Sequence, residues 1–221
     1  MADFECKEDE LAIEVLFSSI PHLLSVFLAS VFILLGAVVF RHLDESIANE
    51  PWCEAVLFSF STVTTIGYGK VVPRNPSSQL FCAVYCLVGI PLIFIVFSNM
   101  GEFLAEGYWL MDACWNGDKE LIAIHDNLPL KSLSLIIILH SLIGGIIFHF
   151  WIDSMPFISA VYFSFISITT IGFGDLNPNP DNLFHTLIII IYLSTGIVVM
   201  STLFGSLSNH MKIFQNYLLV Y

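Results

Sequence analysis

One phrase occurs twice in this sequence, and the repetition constrains the fold more than any other feature. Thr64-Thr65-Ile66-Gly67-Tyr68-Gly69 returns 105 residues later as Thr169-Thr170-Ile171-Gly172-Phe173-Gly174. Between 51–69 and 156–174, 11 of 19 positions are identical, including Pro51/Pro156 and the Phe-Ser-Phe of 58–60 and 163–165. The chain is therefore expected to be two copies of one helix–loop–helix unit.

Those units must lie in a membrane. Of 221 residues, 57% are hydrophobic and 12% charged, and four runs carry no charge: 21–40, 75–101, 132–152 and 182–211. Crossing about 30 Å of hydrocarbon takes roughly 20 apolar helical residues, so each run is long enough. Inside the bilayer the backbone must satisfy its own polar groups. The expected fold class is an all-α integral membrane protein: four transmembrane helices with two re-entrant pore-helix/filter loops.

An acidic segment, 1–20, comes first, with the wrong sign for the n-region of a signal peptide, so 21–40 is read as retained. The first repeat spans 21–104, a polar cytoplasmic linker 105–131, the second repeat 132–212 and a short tail 213–221. Leu11, Val15 and Leu16 can extend the first helix inward or lie along the membrane surface. Segments 52–64 and 157–169 are too short to cross and too apolar for solvent loops. Pro51 and Pro156 stand where helices begin, a position that suits a residue without an N–H. Trp109 and Trp115 read as interfacial anchors. The competing reading of 154–174, an ordinary fifth crossing, fits poorly with its hydroxyls and glycines. Lys7, Lys119, Lys131 and Lys212 fall on one side of this topology and Arg41, Lys70 and Arg74 on the other, too even a division to orient the chain.

The repeated phrase has the chemistry of a potassium filter. A potassium ion must exchange its water for oxygens of similar strength, and backbone carbonyls aimed at one axis supply them. Successive carbonyls share a direction only if alternate residues are left-handed, where glycine carries no steric penalty; hence Gly67, Gly69, Gly172 and Gly174. Ile66, Tyr68, Ile171 and Phe173 contribute carbonyls between them, and Thr65 and Thr170 can add hydroxyls at the inner end. Five residues span at most ~16 Å, so a water-filled cavity must complete the path. The C-terminal ends of the pore helices, partly negative, favour a cation there. Two strands per chain and four around an ion imply a twofold dimer, a pseudo-fourfold pore.

This pattern resembles the two-pore-domain potassium channels of the leak, or background, type. The resemblance rests on Gly36-Ala37-Val38-Val39-Phe40-Arg41, on the tyrosine filter followed by a phenylalanine filter, and on Leu87-Val88-Gly89-Ile90-Pro91-Leu92. It implies a homodimer with filter strands at 65–69 and 170–174, cytoplasmic termini, gating largely at the filter and residence in the plasma membrane among lipids. The sequence departs from the family twice. Residues 42–51 are too few for the usual helical cap, and Lys70 follows the first filter, whereas Asp175 follows the second. Two lysines and two aspartates would then alternate around the outer mouth. Charged, Lys70 is expected to repel incoming cations and make the mouth sensitive to alkaline pH. The opposing reading is a solvated lysine paired with Asp175 or Glu54.

Other residues carry weaker signals. His140, His149 and His185 are ionisable groups in or near the membrane, but a neutral histidine bonded to a neighbour explains each as well. Gly89, Pro91 and Gly196 are candidate hinges, with close helix packing an equal account of Gly196. Cys53 is expected near the outer surface, where an intersubunit bridge is conceivable. The scattered cysteines show no zinc or disulfide spacing. No crossing carries the arginine series of a voltage sensor, no enzyme motif is present, and seven Lys/Arg argue against nucleic acid. No cofactor beyond permeant potassium ions is expected. The alternative to a passive channel is a non-conducting modulatory subunit that pairs with a related channel.

Overall fold

The computed structural model describes residues 2–116 and 128–220. Among these the regular elements are all helices: α1 (Ala2–Leu43), α2 (Glu45–Ala48), α3 (Trp52–Val63), α4 (Pro76–Asn116), α5 (Leu130–Ile147), α6 (Phe157–Ile168) and α7 (Leu183–Val220). Four stretches are long and apolar enough to cross a membrane: Ile20–Leu43, Pro76–Trp109, Leu130–Ile152 and Leu183–Asn216. Their outward faces are studded with exposed leucine, isoleucine and phenylalanine, as a surface solvated by lipid requires. The protein is a multi-pass integral membrane protein with two short helices, α3 and α6, set between crossings.

The boundaries follow local chemistry. Pro51 and Pro156 take the N-cap positions of α3 and α6, one residue before the expected first helical position. α1 extends back to Ala2 and α4 runs on to Asn116, so helix occupies the first part of the expected linker. Residues 117–127, including Lys119, and the side chain of Trp115 lie outside the described residues. Trp109 is buried against Tyr108. α4 continues through Pro91. A five-residue π-helical turn, Phe148–Ile152, ends the third crossing, where His149 Nδ1 meets the Met155 carbonyl.

Each repeat cradles its short helix in the same way. In the first, Phe40 packs edge-on to Phe58 and Tyr85, and a Cβ on Gly36 would collide with Tyr85 and Ser59. In the second, Phe148 packs edge-on to Phe163 and Tyr192, and a Cβ on Gly144 would collide with Tyr192 and Ser164. The glycines let the crossing helices approach closely enough for a serine and a tyrosine to meet the backbone. Ser59 Oγ donates to the Ile33 carbonyl at 2.9 Å and Tyr192 Oη to the His140 carbonyl at 3.0 Å. Gly89 closes on Val63 and Phe32, and Gly196 on Ile168 and His140. Two of the three candidate hinges, Gly89 and Gly196, thus sit at close-packed crossings, and His140 occupies the place that Phe32 takes in the first repeat.

The connector between α1 and α3 is short and heavily bonded. Asp44 caps α2, accepting from Ser46 N–H and Oγ. Its other oxygen accepts from Arg74 N–H at 2.7 Å, Asn75 N–H at 3.3 Å and Ser78 Oγ at 2.6 Å. Arg41 donates to the carbonyls of Ile47, Ala48 and Glu50 and lies over the Trp52 ring. The connector is therefore pinned at Asp44 to the segment that leads into α4 and at 47–50 to the end of α1.

Candidate functional site

Each short helix runs directly into its glycine loop. α3 ends at Thr64, whose N–H and hydroxyl both return to the Phe60 carbonyl; Thr169 does the same with Phe165. Beyond that point the backbone alternates. Thr65, Gly67 and Gly69 have φ of 61°, 64° and 78°, and Thr170, Gly172 and Gly174 have 56°, 49° and 77°. Ile66, Tyr68, Ile171 and Phe173 keep negative φ. This is the alternation that turns successive carbonyls one way, and it includes two positions the glycine pattern did not mark. A left-handed threonine is β-branched and strained, so Thr65 and Thr170 are held by their surroundings. Thr65 N–H donates to the Thr62 carbonyl at 3.3 Å and Thr170 N–H to Ser167 at 3.0 Å.

The two loops lie side by side. A Cβ on Gly172 would strike the Ile66 carbonyl, and one on Gly174 the Tyr68 carbonyl. Tyr68 stacks on Phe163 of α6, and its hydroxyl donates to Ser167 Oγ at 2.9 Å. The first loop is therefore backed by the short helix of the second repeat.

Among the described residues the second loop has no such backing. Ile66 and Tyr68 are 3% and 8% exposed, whereas Ile171 and Phe173, at the matching positions, are 48% and 69% exposed.

Lys70 and Asp175 part company where the loops end. Lys70 Nζ lies 2.6 Å from Glu54 Oε1 and 2.6 Å from Asn179 Oδ1, one of the two pairings weighed from sequence. Asp175 instead accepts from the Tyr162 hydroxyl at 3.1 Å. Asn177 Nδ2 donates to the Gly174 carbonyl at 3.1 Å, securing the last turn of the second loop. Cys53 is buried, its thiol 3.4 Å from the Pro180 carbonyl, so it faces into the chain, not outward. His140 Nε2 is 3.4 Å from Thr195 Oγ1 and its ring meets Tyr192 edge-on; His185 lies near Asp181. Among the described residues no cluster of histidine, cysteine or carboxylate is arranged to hold a metal.

Sequence reasoning offered Glu54 as one of two partners for Lys70 but missed the roles of Asn179, Ser167 and Asp44. Ser167 sits inside the repeated block and was visible there as a hydroxyl three residues before the loop; the others carry no periodic signal.

A family model described as an ion channel matches the chain twice, over 28–106 and 135–212, one match per repeat. The TWiK family of potassium channels protein 7 of Caenorhabditis elegans is 27% identical over 188 residues, 72% of this chain and 34% of that protein. Human potassium channel subfamily K member 5 is 30% identical over 156 residues, 65% of this chain and 29% of its own length. Human potassium channel subfamily K member 17 is 34% identical over 131 residues, 55% of this chain and 38% of its own. The chain thus spans about a third of the length of these relatives.

Proposed function

The chain belongs to the two-pore-domain potassium channel family, and we propose that it forms a potassium-selective channel of the leak type, conducting passively through a dimeric pore. The unequal cover of its two loops carries this reading. Filter strand 65–69 is backed within its own chain by α6, while strand 170–174 presents Ile171 and Phe173 uncovered. A second copy related by a twofold axis would bring its α3 to that face and close the ring at four strands.

In that ring the carbonyls of Thr65, Ile66, Gly67, Tyr68 and Gly69, with those of Thr170, Ile171, Gly172, Phe173 and Gly174, replace the ion's hydration shell. The Thr65 and Thr170 hydroxyls take the inner end. α3 and α6 point their C-termini at the cavity beneath, where their partial negative charge favours a cation. Lys70 and Asp175 rim the outer mouth. No described helix carries a series of arginines to tie opening to voltage; the flow is passive, driven by the electrochemical gradient of potassium. The reading places the protein in the plasma membrane with both ends of the chain cytoplasmic.

The test is the reversal potential of purified protein in planar bilayers across a potassium gradient, with sodium balancing the charge. A shift of about 59 mV per tenfold gradient, the value for a univalent ion, is expected, together with a two-chain mass in detergent. Equal passage of sodium, or a conducting single chain, would overturn the reading. A silent protein that alters a related channel on co-expression would mark a modulatory subunit.

A further inference from the structure

Lys70 puts a positive charge directly after Gly69, at the mouth of a path proposed to carry cations, where the second repeat has Asp175. A lysine ammonium is a compact point charge on a flexible four-carbon stem. Left free, it would compete for the outermost site of the pore. The fold gives it somewhere else to go. Its Nζ lies 2.6 Å from both Glu54 Oε1 and Asn179 Oδ1.

Burial confines one acceptor and a second hydrogen bond orients the other. Glu54 lies in the first turn of α3 and is 7% exposed; among the described residues Lys70 is the one cation within ion-pair distance of it. Asn179 is oriented by its own amide, which donates to Asp153 at 3.2 Å. The Cys53 thiol against the Pro180 carbonyl keeps that segment beside α3. An exposed lysine–carboxylate pair is weak and readily broken. Here the carboxylate is buried, and opening the pair would strand its charge, so the ammonium stays bound.

We propose that Glu54 is a positioning residue for conduction: with Asn179 it parks the Lys70 ammonium away from the ion path and prevents it from acting as a tethered plug. The proposal rests on the potassium-channel reading above.

Currents from wild type, Glu54→Gln, Glu54→Asp and the double variant Glu54→Gln/Lys70→Met are recorded in bilayers over a range of potassium concentrations on the Lys70 side. A plug drawn inward by the field reduces inward more than outward current. If the freed ammonium senses roughly a fifth of the membrane field, inward conductance of Glu54→Gln falls about twofold at about −100 mV, and raising potassium on that side relieves it. Glu54→Asp, charged but shorter, is expected to show a smaller effect of the same sign and keeps the test open should Glu54→Gln fail to assemble. The double variant is expected to regain the wild-type current–voltage shape. Wild-type rectification in both single variants, or a defect that persists once Lys70 is removed, overturns the proposal. A wild type without potassium selectivity is read from its own reversal potential and sinks the channel reading along with it.

Discussion

The Tyr68 hydroxyl donates to Ser167 Oγ at 2.9 Å, tying the glycine loop of one repeat to the short helix of the other. The pair is buried, and a neutral hydrogen bond of this kind contributes about 1 kcal/mol net. Tyr68→Phe keeps the ring stacked on Phe163 and removes only that bond. It is expected to shift the balance between a conducting and a collapsed loop by about fivefold, seen as faster current rundown in low potassium. Ser167→Ala should do the same, and the double variant should be no worse than either single one, because both remove one interaction. Additive effects would mean that the two residues act separately.

Phe173 offers the reverse experiment. Its ring is exposed on the single chain, and the repeat symmetry matches Ser167 with Thr62. Thr62 Oγ1 already donates to the Phe58 carbonyl at 2.7 Å, which leaves the oxygen free to accept. In a dimer, Phe173→Tyr is expected to gain the bond that Tyr68 has and to slow rundown in low potassium. Unchanged rundown would show that Thr62 of a second copy does not face this position.

Asp44 makes the short connector possible. Burial opposes its charge, yet hydrogen bonds from the Ser46 and Ser78 hydroxyls and from the Arg74 and Asn75 N–H groups outweigh burial and hold the carboxyl well below the usual carboxylate range. A group whose folded pKa is depressed stabilises fully above its unfolded value, about 3.9, and progressively less as pH falls below it. Asp44→Ala leaves several donors unpaired and is expected to cost roughly 2–4 kcal/mol at neutral pH. The difference in melting temperature between wild type and variant, measured in detergent, should shrink below about pH 4; a constant difference would exclude the charge as its source.

How much of this was legible depends on which register the repeats share. The loops and short helices match at a fixed offset of 105 residues, so they read directly from sequence. The flanking crossings do not keep that offset. Gly36 and Phe40 correspond to Gly144 and Phe148, 108 residues on, and Tyr85 and Gly89 to Tyr192 and Gly196, 107 on. The connector into α6 is three residues shorter than the one into α3, and a single-offset comparison loses both cradles. That is why His140 looked like an isolated ionisable group when it holds the position of Phe32. The loop glycines were legible because their torsions demand glycine; Thr65 and Thr170 were not, since their left-handed torsions are imposed by neighbours. Lys70 could be placed at the mouth, but its partner could not be chosen: Asn179 is 109 residues away and reaches it only through the packing of one repeat on the other.

The cradle glycines can be told apart from the other helical glycines by a single methyl group. At Gly144 a Cβ would meet the Tyr192 hydroxyl and Ser164 Oγ, side chains wedged between α5, α6 and α7. Neither is the free end of a flexible chain, so Gly144→Ala must push α5 away from α6. Overpacking of this kind typically costs about 1–3 kcal/mol, and the displaced helix carries the second loop with it. Gly205 lies in the same membrane-crossing helix as Tyr192, yet among the described residues nothing stands within 4 Å of a Cβ there. Alanine at a helix-interior site loses less backbone entropy than glycine, worth about 0.5–1 kcal/mol. Melting in detergent is therefore expected to fall for Gly144→Ala and to hold or rise for Gly205→Ala, with potassium selectivity weakened only in the first. Equal melting temperatures would mean that α5 and α6 are not in the close contact on which the second cradle, and through it the paired loops, depends.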